Sequence, residues 1–242
     1  MDTRKANGIR VVSWMGLAGL FGVPTLLNYV ACRIAIPYLA SLNIFPIEIS
    51  YFLSVGLLVL APMFFFAVIQ SGHDISSFKM KDILARLRVH KIAGIDWVWT
   101  VAAFILLCLA SFAISKDVMP KLGLNATPFF FQNMPLKDGY YGILYAWPFF
   151  FFFNIFGEEF LWRGYIQPRQ ELLTRQWTWL FHGLLWAVWH IPMGLDLIIA
   201  ATPIFFILPA VVQIRKNTTI AIVVHAVFGA FGFLALALGL VS

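Results

Sequence analysis

Glu158 and Glu159 stand side by side in the stretch Asn154-Ile-Phe-Gly-Glu158-Glu159-Phe-Leu-Trp-Arg163-Gly-Tyr165, which directly follows five consecutive phenylalanines, Phe149 to Phe153. Charges in such apolar surroundings are costly and mark functional positions. On a helix Glu159 and Arg163 are four apart, so they share a face with the acid N-terminal to the base. Glu158 is turned about 100° from Glu159. One carboxylate can then be held by the arginine while its neighbour is left free for chemistry. Two imidazoles, His190 and His225, fall in later apolar segments. His182 lies about 80° off the His190 face and is a minor candidate. A carboxylate and a neutral imidazole can together polarise a water, with the carboxylate as general base. A second imidazole can donate to a developing oxyanion. The same groups could instead bind zinc, with Glu158, His190 and His225 as ligands. No HExxH pair is present, and no serine or cysteine is placed as a nucleophile. Water activation is therefore the economical expectation, and the substrate is then a peptide bond presented at or in the membrane.

Something must carry these groups through a lipid environment. Of the 242 residues 61% are hydrophobic and 12% charged; a soluble domain carries about twice that charge. Several apolar runs approach the roughly 20 residues that span a bilayer. The fold class expected is all-α, a polytopic transmembrane bundle of about seven spans plus a basic amphipathic surface helix. No linker, low-complexity segment or internal repeat divides it. The net charge of +6 does not imply nucleic acid, because basic residues of a membrane protein gather in its cytoplasmic loops. Cys32 and Cys108 fall in apolar segments and read as packing residues without a disulfide framework. Arg4, Lys5 and Arg10 precede the first apolar run without a convincing cleavage site, which predicts an uncleaved first span.

The spans expected are 11–32, 50–70, 96–115, 148–170, 177–195, 197–213 and 218–240. Pro24 should kink the first, Pro148 should open the fourth, and Pro192, Pro203 and Pro209 should kink or break the fifth and sixth. Between the second and third, residues 73–96 alternate Lys79, Lys81, Arg86, Arg88 and Lys91 with apolar residues, the pattern of a helix lying on the membrane surface. Residues 116–146 read as a polar connection with Pro120, Pro128, Pro135 and Gly139, ending in a belt of Tyr140, Tyr141, Tyr145 and Trp147. Seven spans with the N-terminus inside place 13 of the 17 lysines and arginines within the membrane or on its inner side. Only Arg33, Lys116, Lys121 and Lys137 are then outside, a bias that sets the N-terminus in the cytoplasm.

The motifs resemble a known family. Glu158-Glu159-x-x-x-Arg163 is similar to the EExxxR motif of the CAAX protease and bacteriocin-processing (CPBP, or Abi) intramembrane proteases, which include the type II CAAX prenyl endopeptidases. Trp186-Ala-Val-Trp-His190 resembles their FxxxH motif, and His225-Ala-Val-Phe-Gly229 their HxxxN motif, in the same order over about residues 140–240. The resemblance implies an intramembrane fold of about eight helices with a cavity open to the cytosol. Residues 1–139 would hold the N-terminal spans and 140–242 the catalytic core, in one integral domain. Glu158 and His190 would activate water, Glu159 and Arg163 would hold the site, and His225 would stabilise the oxyanion, with Trp186 and Gly229 beside the substrate. Either no cofactor or zinc is compatible with the family, and the partners implied are the bilayer and a membrane-associated peptide or protein. Gly229 replaces the family's asparagine, which would remove an amide donor worth about 10²-fold in rate. Two other functions fit the same residues: a silent family member acting as a binding or immunity protein, and a proton-coupled transporter.

Overall fold

A computed structural model describes residues 5–6, 9–125, 129–130, 139, 141–238 and 240. Arg4, Pro128, Pro135, Lys137 and Tyr140 lie outside the described residues, so the polar connection is described only in part. A short antiparallel hairpin, β1 Lys5–Ala6 with β2 Ile9–Arg10, precedes an all-α bundle. Ser13 then caps α1, Trp14–Ser41, its hydroxyl accepting from the Gly16 amide at 3.1 Å. Next come α2, Ile47–Ile75, the short α3, Met80–Arg86, and α4, Ile95–Leu122. The helix carrying the carboxylates, α5, Ile143–Glu159, runs without a break through a π-helical segment, Phe160–Ile166, into α6, Gln167–Thr174. The bundle closes with α7, Thr178–Trp189, α8, Leu195–Arg215, and α9, Thr218–Ala237.

Five helices, α1, α2, α4, α8 and α9, are long and apolar enough to cross a membrane. The fifth predicted span differs: α7 has 12 residues, about 18 Å of rise against roughly 30 Å of hydrocarbon. It ends inside the bundle, in a 3₁₀ turn at Ile191–Met193 containing Pro192, and Gly194, at φ 112°, starts α8 in a conformation open to glycine. A helix end at that depth needs partners for its last carbonyls. Asn28 of α1, fully buried, donates its amide to the Trp189 carbonyl at 2.8 Å, and Trp189 Nε1 donates to the Pro24 carbonyl at 3.1 Å. The apolar run has two faces: Gly183, Trp186 and Trp189 are buried against the bundle, while Phe181, Leu184 and Val188 are exposed. Pro148 also lies inside α5 rather than at its start, and Pro203 and Pro209 lie inside an unbroken α8.

The basic stretch 73–96 likewise departs from a long surface helix. Between the end of α2 at Ile75 and the start of α4 at Ile95 only Met80–Arg86 is helical, and Ile83 and Leu87 are buried against the bundle. Two of its arginines turn inward. Arg86 donates from Nε and Nη2 to Asp74 at 3.1 and 2.8 Å, and Arg169 donates to the same carboxylate. Burial and the neighbouring Arg169 push the Arg86 guanidinium down from its ordinary value, opposed by Asp74. Arg88 makes a two-pronged pair with Glu171, 2.9 Å on each arm.

These contacts define one end of the bundle, where Arg215 also meets Asp96 at 2.7 Å and Thr218 donates to the Leu87 carbonyl at 2.8 Å. At the opposite end the Asn125 amide meets Asp196 at 3.1 Å, Tyr51 stacks on Phe130 at 3.8 Å, and Trp147 stacks on Phe233 at 4.3 Å. Between them α2 and α5 approach backbone to backbone: a Cβ on Gly157 would stand 2.5 Å from the Leu60 carbonyl oxygen. Only glycine permits that contact, and it sits one residue before Glu158. The first two helices thus pack directly on the helix that carries the carboxylates, and Phe21 of α1 stacks on Trp162 at 4.9 Å.

Candidate active site

The last turn of α5 carries Glu158 and Glu159, 2% and 0% exposed, and the π-helical segment with Arg163 begins at the next residue. A π-turn costs regular hydrogen bonding and occurs preferentially at functional sites. Arg163 is itself fully buried. Its Nε lies 3.3 Å from Glu159 Oε2, a contact of opposite charges without hydrogen-bond alignment. Its guanidinium lies over the Trp186 ring, Cζ 3.5 Å from the ring centroid. The other oxygen of Glu159 accepts from His225 Nδ1 at 2.8 Å. Glu159 thus joins α5 to α9 and is held by a cation and an imidazole.

Glu158 is paired with no cation, but it is not free. Asn154, one turn earlier, donates from Nδ2 to Oε1 at 2.7 Å, and Trp186 Nε1 donates to Oε2 at 2.9 Å. Two neutral donors therefore fix the carboxylate, and each oxygen keeps a lone pair for another partner. The expectation of a free neighbour is corrected in this respect.

His190 sits where α7 ends, and its Nδ1 is 2.9 Å from the Trp186 carbonyl. A carbonyl only accepts, so Nδ1 carries the hydrogen and Nε2 remains for the cavity. The same argument at His225, whose Nδ1 meets a carboxylate, leaves its Nε2 as well. Glu158, His190, His225, Trp186 and Gly229 all line one cavity of about 270 Å³, whose remaining walls are mostly aromatic. Glu159 and Arg163 lie beneath its floor, outside the lining. A Cβ on Gly229 would be 3.7 Å from Phe151, an ordinary contact. His182 is elsewhere, fully buried with Nδ1 2.6 Å from Gln170 Oε1.

Asn154 is the lining residue whose role the sequence reading missed. Its only local signal is the i, i+4 spacing to Glu158. Asn28, which satisfies the end of α7 from 161 positions away, has no local signal. The zinc alternative fits poorly. Among the described residues no three His, Cys, Asp or Glu side chains are grouped to hold a metal ion.

A buried carboxylate and two imidazoles in one apolar cavity of a helical membrane bundle define a candidate intramembrane hydrolase. Residues 141–231 match the family described as type II CAAX prenyl endopeptidase Rce1-like. The match contains the three motifs and supports the CPBP/CAAX protease family, and with it an intramembrane CAAX-type protease in general. No match to the chain was found among the curated proteins or the solved structures.

Proposed function

We propose that this chain is an intramembrane endopeptidase that hydrolyses a peptide bond of a membrane-associated protein or peptide with water activated by Glu158 and His190. The observation that carries the reading is the common cavity. A buried carboxylate without a cationic partner and two imidazoles with available Nε2 atoms line the same apolar space. A water between Glu158 and His190 gives its proton to the carboxylate as its oxygen attacks the carbonyl carbon. Glu158 then passes that proton to the leaving amine. His225, held through Nδ1 by Glu159, donates from a protonated Nε2 to the oxyanion. Asn154 and Trp186 keep the base oriented, and aromatic walls exclude bulk water. The N-terminus lies in the cytoplasm, and the reaction uses the chain's own groups without a bound metal.

Gly229 is the observation that favours a second reading, a binding or immunity protein without turnover. Asn154 weighs against it, because it presents an amide to the same cavity from the facing helix. The experiment is termini-resolved mass spectrometry of membrane proteins and peptides from cells carrying the wild-type chain or Glu158→Gln. New termini that depend on Glu158, and that persist in membranes stripped with a chelator, are expected. Identical termini in both strains, with the biological phenotype kept by the variant, would establish the binder instead.

A further inference from the structure

The cavity has a direction. From its floor at Glu158, His190 and His225 the lining follows α5 backward through Asn154 and Phe150 to Trp147, and α9 forward through Phe228 and Gly232 to Phe233. On α8 it runs from Phe205 to Leu197, and on α2 from Leu60 to Tyr51. Every one of these paths leads to the end where Tyr51 stacks on Phe130 and Trp147 on Phe233. Toward the other end the way is closed. Trp162, Arg163 and Gln167 are fully buried beneath the floor, followed by Arg169 and Leu87, at most 1% exposed.

The closed end is also the basic end. It holds the five lysines and arginines between Lys79 and Lys91, together with Arg169, Arg175, Arg215 and Lys216, nine in all. The end with the mouth holds Arg33, Lys116 and Lys121 among the described residues, three in all. An excess of lysine and arginine in short loops marks the cytoplasmic side. A basic cytoplasmic end and a mouth open to the cytosol, both expected from the sequence, are therefore incompatible in this fold, because the two lie at opposite ends.

We propose that the site is entered from the extracytoplasmic face, and that its substrate is an apolar, extended stretch of a membrane-anchored or exported peptide presented at the outer leaflet. The walls suit such a segment: aromatic rings accept apolar side chains on either side of the scissile bond, and no lysine or arginine lines the cavity. The nature of the substrate rests on the hydrolase reading, whereas the side of entry rests on geometry and charge alone.

Cysteine accessibility tests the side. Gly232 lines the mouth, and a Cβ there has nothing within 4 Å, so Gly232→Cys fits without displacement. Lys81→Cys marks the basic end, with the native chain as a control for Cys32 and Cys108. A membrane-impermeant maleimide applied to intact spheroplasts should label Gly232→Cys, and should label Lys81→Cys only after permeabilisation. The opposite pattern puts the mouth in the cytoplasm and overturns the proposal. Repeating the labelling with Glu158→Gln separates the two ideas: if no cleavage depends on Glu158 but Gly232→Cys is labelled from outside, hydrolysis fails while outer-face entry stands.

Discussion

The pair beneath the cavity floor sets a measurable coupling. Glu159 and Arg163 are both fully buried, with Nε 3.3 Å from Oε2. At an effective dielectric constant near 20, two unit charges at that distance attract by about 5 kcal/mol. Each charge also bears a desolvation cost of similar size, so the pair as a whole adds little to stability. Removing one partner is different, because it leaves the other charge buried and uncompensated, at about 3–5 kcal/mol. Glu159→Gln keeps an oxygen to accept from His225, so it isolates the charge. Arg163→Met keeps the unbranched stem and removes the guanidinium, and its lost stack on Trp186 occurs on both sides of a double-mutant cycle and cancels. The two single variants should each lose about 3–5 kcal/mol. The double variant should fall short of their sum by at least about 2 kcal/mol. Reversible unfolding in mixed dodecylmaltoside–SDS micelles reads all four proteins. Additive losses, within about 0.5 kcal/mol, would show that the two charges do not sense each other and would refute the account of the floor.

Three further outcomes follow from particular contacts. Asn154→Ala removes the donor at Glu158 Oε1; a hydrogen bond to a charged group contributes about 1.5–3 kcal/mol, so kcat/KM on a peptide found by the termini screen should fall about 10- to 150-fold with the fold intact. Trp186→Phe restores the residue usual in the resembled motif but removes the donor at Oε2, and should cost activity in the same range, measured by the same assay; an unchanged rate would show that the indole N–H has no part in orienting Glu158. Gly157→Ala drives a methyl into the Leu60 carbonyl and should destabilise the protein by about 1–3 kcal/mol in the micelle titration, whereas Gly229→Ala, with ordinary contact to Phe151, should leave stability unchanged.

The parts of the site legible in the sequence are those that helical spacing controls. Glu159 and Arg163 four apart, and the histidines in apolar runs, could be placed on faces and at depths without coordinates. What escaped depends on distant partners. The run 177–195 has the hydropathy of a span, but its helix stops at Trp189, whose carbonyl accepts from Asn28 of the first helix. Periodicity in the basic stretch likewise suggested arginines facing lipid headgroups, and it carries no information about Asp74 and Glu171, the acids that turn Arg86 and Arg88 inward. The π-helical segment after Glu159 has no distinct periodicity in the sequence either; Gly164 within it is where Leu87 packs closely, a contact that only the fold reveals.

Trp186 explains how a buried arginine that touches neither Glu158 nor the cavity can still act on both. Among the described residues none of the Arg163 N–H groups has a well-aligned hydrogen bond, so its charge is balanced by Glu159 and by the face of the indole. A guanidinium over a ring in a dry site is worth about 2 kcal/mol or more. The same indole donates its N–H to Glu158. A cation over the face draws electron density from the ring and makes that N–H a stronger donor. The indole thereby couples the charge below the floor to the carboxylate above it while keeping the cation itself out of the cavity. A direct Arg163–Glu158 ion pair would hold the carboxylate more tightly but would occupy the oxygens that, in the proposed reaction, take a proton from water. Placing the arginine one layer down, with an aromatic ring between, stabilises a carboxylate at this depth and leaves it available as the base of the proposed reaction.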